Sequence, residues 1–139
     1  MTSDDDVVEG VAVYVPEERV VFTGDTIFCR CQTWLYVSNV DQWLTALERI
    51  RALDVDHVVP GHGPVTTKAY VDVQRAFLLE WVTAVARGVA QGWSKEECIA
   101  RISFADRFRV DVGQEYMMGH IQRENVSALY DKLVAGVRP

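Results

Sequence analysis

Two short segments of this chain carry side chains able to bind a divalent metal. Thr23-Gly24-Asp25-Thr26 follows one apolar run, and Pro60-Gly61-His62-Gly63-Pro64 follows another. The first offers a carboxylate and the second an imidazole, the mixed oxygen and nitrogen donors that suit zinc or a similar cation. Each is expected just past the end of a buried strand, where a ligand is held rigidly yet faces an open cleft. Gly24 lets the backbone turn sharply, so that the Asp25 carboxylate points along the strand and could bridge two cations ~3.5–4 Å apart. Taken alone, Asp25 reads first as a turn cap. His62 has glycine on both sides and proline outside them, a stiff, bulk-free loop that packs poorly and mounts a ligand well. A catalytic zinc takes three protein ligands, and these segments supply two.

The elements that position these segments are legible from apolar spacing. Val11-Ala12-Val13-Tyr14-Val15 is read as a buried strand stopped by Pro16. Glu17-Glu18 is read as the turn and Arg19-Val20-Val21-Phe22-Thr23 as the partner strand of a hairpin. Ser38-Asn39 offers N-cap oxygens, with Gln42 three residues beyond Asn39 as in a capping box. Val40, Trp43, Leu44, Leu47, Ile50 and Leu53 then recur at three- and four-residue spacing, which predicts an amphipathic helix of about four turns. His57-Val58-Val59 is a short strand running into Pro60-Gly61-His62. Strand, loop, helix, strand, loop is an α/β pattern.

Beyond Thr67 the chain reads as helical. Tyr70, Val73, Phe77, Trp81, Val85 and Val89 mark one face of a long helix ending near Gly92. Ser94 with Glu97 forms a capping box for a short helix through Ile102. After the polar stretch 106–113, a last helix carries Met118, Ile121, Val126, Leu129 and Leu133. The expected organisation is an α/β unit over 1–66 and a helical extension over 67–139 packed on it as a single compact unit.

Composition narrows the function classes. The 139 residues are 49% hydrophobic and 24% charged, as in a soluble globular chain. No apolar run approaches the ~20 residues of a membrane span, and the Asp-rich start is the reverse of a signal peptide. The net charge of -6 comes with no basic stripe, which argues against nucleic acid or an anionic membrane as partner. Three cysteines make a disulfide framework unlike this chain, and a cytoplasmic location is the expectation. Cys29 and Cys31 are too close for a good disulfide and are read as reduced thiols, with Cys98 as a small buried apolar residue.

The stretches "VAVYVPEERVVFTGDTIF" and "VDHVVPGHGPV", between Val11 and Val65, resemble the C-terminal half of the metallo-β-lactamase-fold hydrolases, which include glyoxalase II-like thioesterases and lactonases. The last helix, with "HIQRENVSALYDKL", resembles the helical extension of many members. The resemblance implies half of a four-layer αββα sandwich with a dinuclear metal site at the edge where two halves meet. It assigns Asp25 to the bridging aspartate of the "GD" motif and His62 to the last histidine ligand, in "PGHG". The family's H-x-H-x-D-H cluster has no counterpart here, where the histidines are His57, His62 and His120. Its "GHT" histidine would fall near Met1, so the chain begins almost where the second half begins.

On that resemblance the expected activity is hydrolysis of an ester, thioester, lactone or similar small acyl substrate, with zinc or another divalent metal in the complete site. The chain alone is expected to bind metal weakly or not at all and to be inactive, as a truncated or split hydrolase. The alternative is a non-catalytic remnant or assembly module. Phe28, Trp34 and Tyr36 are candidates for pocket lining, with core packing the competing reading of each, and His120 is a weaker candidate. Tyr116, Arg123 and Asn125 read as surface residues of the last helix. His57 reads as a hydrogen-bonded structural residue, and Asp4, Asp5 and Asp6 as a solvated tail. Half a sandwich leaves one sheet face uncovered, which predicts a homo-oligomer or a complementing N-terminal half. In a twofold dimer, Asp25 and His62 of both chains could converge on a four-ligand site.

Overall fold

The computed structural model describes residues 12–136 and 139. The expectations for Val11 and for Asp4, Asp5 and Asp6 lie outside the described residues. The elements run β1 (Val13–Val15), β2 (Val20–Phe28), α1 (Val40–Arg51), β3 (His57–His62), α2 (Ala69–Ala90), α3 (Lys95–Arg101) and α4 (Met118–Val134). This is a mixed α/β fold around a three-stranded sheet of order β1-β2-β3. No helix among the described residues is long and apolar enough to cross a membrane.

The predicted hairpin forms. β1 pairs antiparallel with β2, Val13 opposite Phe22 and Val15 opposite Val20. A 3-10 turn over Pro16–Glu18 joins them, and Arg19 follows it in the left-handed region at φ 54°. Its guanidinium meets Asp54 at 2.8 Å and Asp56 at 2.9 Å, while its carbonyl accepts the Asp56 and His57 amides. Tertiary contacts thus hold a conformation that a Cβ disfavours. β1 is not the buried strand that its apolar run suggested. It is an edge strand, with Val13 53% exposed and its partner Phe22 46% exposed. The opposite face of the sheet is the buried one, through Val21 and Val58.

α1 starts as predicted, with Asn39 Oδ1 accepting the Gln42 amide at 3.0 Å. It buries Val40, Trp43, Leu47 and Ile50. The long helix α2 is present, but its buried stripe is Val71, Gln74, Phe77, Leu78, Trp81, Val85 and Gly88, and Val73 is exposed. The stripe is rotated because Gln74 turns inward to bond the Phe28 amide and the Thr33 hydroxyl. α3 is capped by Ser94, whose Oγ accepts the Glu97 amide at 3.1 Å. One apolar cluster joins Val21, Ile27 and Val58 of the sheet to Leu47, Leu78, Trp81, Cys98, Val126 and Leu129 of the helices.

Candidate metal centre

β3 runs parallel to β2, with Phe22 opposite Val59, Gly24 opposite Pro60 and Phe28 opposite His62. Between the last two pairs β2 advances four residues while β3 advances two, so β2 arches away and returns. Such an irregularity re-aims side chains at a sheet's rim. Gly24, at φ 53°, supplies the turn, and Asp25 projects from the arch with its side chain 73% exposed. The expectation that both ligand segments lie past their strands is therefore corrected. Asp25 sits within β2, and His62 is the last residue of β3. The bulge keeps the chain in the sheet where sequence alone shows only turn-forming glycine and aspartate.

The glycines around His62 serve backbone approach rather than looseness. A Cβ on Gly61 would stand 2.5 Å from the carbonyl carbon and oxygen of Gly24 and 2.6 Å from Asp25 Oδ1. A Cβ on Gly63, itself at φ 87°, would stand 1.9 Å from the Cys29 carbonyl oxygen. The His62 carbonyl accepts the Cys29 amide at 2.8 Å. Both segments are thereby pressed together, and His62 Nε2 lies 3.3 Å from Asp25 Oδ1.

Phe28 is buried behind the imidazole, stacked on it with ring centroids 4.7 Å apart and planes 6° apart. On its other side Phe28 meets Trp43, whose Nε1 donates to the Thr26 carbonyl at 2.8 Å and so holds the arch to α1. The remaining edge of the imidazole is taken by Asp111. Its Oδ2 lies 3.0 Å from His62 Nδ1, and its Oδ1 accepts the Val112 amide at 2.9 Å. The hydrogen bonds from His62 and from the Val112 amide hold the Asp111 carboxyl below the usual carboxylate range. An ionised carboxylate only accepts, so Nδ1 carries the proton of this bond.

Asp111 comes from the polar stretch that sequence reading left without a role. Its place is set by Gln32, which is buried between three segments. Gln32 Nε2 donates to the carbonyls of Phe104 and Phe108 at 2.8 and 2.7 Å, and its amide N–H donates to the Arg109 carbonyl at 2.9 Å. Gln122 of α4 donates to Gln32 Oε1 at 3.0 Å and accepts from the Phe104 amide at 2.7 Å. Val110 is buried beside Asp111, whereas Val112 on its other side is exposed, so apolar type within this stretch does not mark the buried position.

The other candidates fall into two groups. Phe28 joins His62 as above. Trp34 and Tyr36 stack at 6.2 Å, and Tyr36 meets the exposed His120 edge to face at 5.7 Å. Burial and the Glu124 carboxylate push the Tyr36 hydroxyl up from its ordinary value. Tyr116 and Arg123 are exposed as expected, and His57 is exposed at the start of β3. Asn125 is corrected: it is fully buried, with Oδ1 accepting the Leu35 amide and Nδ2 donating to the Thr33 carbonyl, each at 2.8 Å. It holds the loop bearing Trp34 to α4. Burial, with the Asp111 carboxylate nearby, pushes the Cys31 thiol up to about 12, which makes it inert at neutral pH. Among the described residues, no three His, Cys, Asp or Glu side chains gather to hold a metal ion. Asp111 lies at the far side of the imidazole from Asp25.

Comparisons with known proteins concern the fold that carries these residues. The profile of the Metallo-beta-lactamase superfamily matches residues 9–62, which span the hairpin, α1 and β3 with its terminal histidine. The Beta-lactamase-like protein 2 homolog of Caenorhabditis elegans is 33% identical over 57 residues, 41% of this chain and 19% of that protein. The stereoselective inverting sec-alkylsulfatase Pisa1 from Pseudomonas sp. has a similar fold, with TM-score 0.61 at 15% identity over 87% of this chain and 21% of the sulfatase. The chain spans about a fifth of the length of each. Members of this superfamily generally bind divalent metals. Through residues 9–62, the chain is similar to the metallo-beta-lactamase superfamily.

Proposed function

We propose that this chain carries the second half of the metal site of a hydrolase acting on ester, thioester, lactone or similar acyl compounds. In this reading Asp25 and His62 hold zinc or another divalent cation. The observation that carries it is the 3.3 Å separation of His62 Nε2 and Asp25 Oδ1. Two donors at ~2.0–2.1 Å from a tetrahedral cation stand roughly 3.3–3.4 Å apart, whereas a charge-assisted hydrogen bond closes to ~2.7–2.9 Å. The Gly61 cradle, which a Cβ would fill, holds the two donors at that spacing. A bound divalent metal would supply a water acidified toward neutrality and polarisation of the acyl carbonyl. The chain's own residues would position it: Asp25 from an exposed arch, His62 from a strand end backed by Phe28. Trp34, Tyr36 and His120 offer an aromatic wall for the apolar part of a substrate.

Two donors fall short of the three of a catalytic zinc, so in this reading the chain is inactive until another segment or chain adds the rest. The exposed row Val13, Phe22 and half-buried Val59, neighbours across the three strands, supports a partner on that sheet face. The same row favours a second reading, a self-associating module without catalysis. The buried free thiols Cys29, Cys31 and Cys98 support a reducing, cytoplasmic setting. The test is hydrolysis of a generic thioester by the chain alone and mixed with a segment bearing H-x-H-x-D-H. The expected result is activity only in the mixture, abolished by chelator and by Asp25→Ala. Chelator-insensitive turnover by the chain alone refutes the proposal. A dimer by sedimentation at micromolar concentration, with no turnover in any mixture, favours the second reading.

A further inference from the structure

We infer that Asp111 is the positioning residue for His62, fixing the imidazole so that Nε2 presents its lone pair toward Asp25. The inference rests on the reading of His62 as a ligand. Its basis is geometric. The two nitrogens of one ring face two carboxylates, Nδ1 at 3.0 Å from Asp111 and Nε2 at 3.3 Å from Asp25. The ring cannot swing out of plane without losing its 4.7 Å stack on Phe28. Because Asp111 accepts the hydrogen bond from Nδ1–H, the neutral ring has a bare lone pair at Nε2. That lone pair then faces a carboxylate oxygen, an arrangement of two acceptors that a metal cation between them would stabilise. A carboxylate on the far nitrogen is also what a metal-bound histidine uses to set its tautomer and raise its basicity.

Asp111 is suited to the role because it is itself held. The Val112 amide fixes one oxygen, Val110 is buried beside it, and the Arg109 carbonyl is tied to the Gln32 amide. Cys31 and Arg109 form a parallel bridge just before it. A freely mobile surface aspartate would reach His62 only at the entropy cost of ordering its loop. Here the loop is ordered by contacts remote from the metal donors. The helical back of the chain therefore contributes to the metal site without supplying a ligand.

The test uses the 139-residue chain with 15N-labelled histidine at about pH 8, above the ordinary imidazole pKa of ~6.5. His57→Gln and His120→Gln assign the His62 signals. Two-bond proton–nitrogen correlations then read the tautomer in the metal-free chain. The wild type is expected to show the Nδ1–H tautomer. Asp111→Ala is expected to release it to the Nε2–H form favoured by free imidazole, and Asp111→Asn, which keeps an acceptor, to retain Nδ1–H. Zinc titrated against the same signals should bind about 10–100-fold more weakly to Asp111→Ala than to wild type. An Nε2–H wild type, or an Asp111→Ala variant unchanged in both tautomer and zinc affinity, overturns the positioning role. The ligand reading is judged separately by His62→Ala. Unchanged zinc affinity there removes the metal half of the inference, while the tautomer data still decide what Asp111 does to the ring. Asp111→Asn also guards against misfolding in the alanine variant.

Discussion

Replacing Gly61 by alanine tests whether the two donor strands are as tightly apposed as the geometry requires. The new Cβ would start 2.5 Å from the carbonyl carbon and oxygen of Gly24, where ordinary contact begins at 3.4 Å. The strands must therefore part by up to 0.9 Å, the difference of those two figures, at the point where β2 arches. The obstacle is backbone, so no rotamer change relieves it. Overpacking of this kind costs about 1–3 kcal/mol. For a chain of this size that is a fall in Tm of roughly 3–15 °C. Gly119 offers the opposite case, since a Cβ there meets nothing within 4 Å and the residue lies in α4. Gly119→Ala is expected to hold or raise stability by up to ~1 kcal/mol through helix propensity. Thermal melts by circular dichroism compare the two. Amide shifts of residues 24–29 and 59–63 report whether the donor strands moved. A Gly61→Ala variant as stable as wild type, with those shifts unchanged, would show that the strands are not in the described contact.

Other outcomes follow from the polar contacts. Asn125→Ala leaves the Leu35 amide and Thr33 carbonyl buried without their partner, and at ~1–3 kcal/mol per orphaned group it should lower stability measurably in urea unfolding. A loss below 0.5 kcal/mol on the same scale would mean that water replaces the amide. The Arg19 guanidinium holds the Asp54 and Asp56 carboxyls below their ordinary value. Depressed carboxyl pKa values mean that this contribution is present above the unfolded value of 3.8 and is lost as pH falls through the lower folded values. Carbon NMR titration should show both shifts vanish in Arg19→Ala. The buried Cys31 thiol, raised to about 12, should resist iodoacetamide at neutral pH in the folded chain and react once denatured. Ready alkylation of folded Cys31 would contradict its burial.

What the sequence disclosed was local. The Asn39 and Ser94 caps, the spacing of α1 and the Pro16 turn each depend on residues within a few positions of one another, and each appears in the structure. The misjudged features depend on distant neighbours. Val13 and Tyr14 have the composition of a buried strand, yet they form an edge with one face open. Asp25 looks like a turn residue because bulge and turn call for the same glycine, and only β3 alongside distinguishes them. Val73 fits the helical period, but Gln74 is drawn inward by Phe28 and Thr33, which lie 46 and 41 residues away. Asn125 read as surface for the same reason, its partners being about 90 residues earlier. Asp111 carries no motif at all, and its meaning comes from facing His62 across 49 residues.

The Gln32 amide has a consequence for when the centre becomes competent. His62 leaves the ribosome with its strand, but the carboxylate that orients it follows 49 residues later. That carboxylate is seated only when Phe104 and Phe108 have closed onto Gln32 across 72 and 76 residues, with Gln122 fastening the other side across 90. Contacts of such separation form late, because the loop entropy must be met before they return anything. The sheet and its donors can therefore assemble early while the imidazole is still free to turn. In the proposed centre the ring is set last, by the chain's final third, so a nascent or clipped chain would hold Asp25 and His62 without the carboxylate that orients the ring.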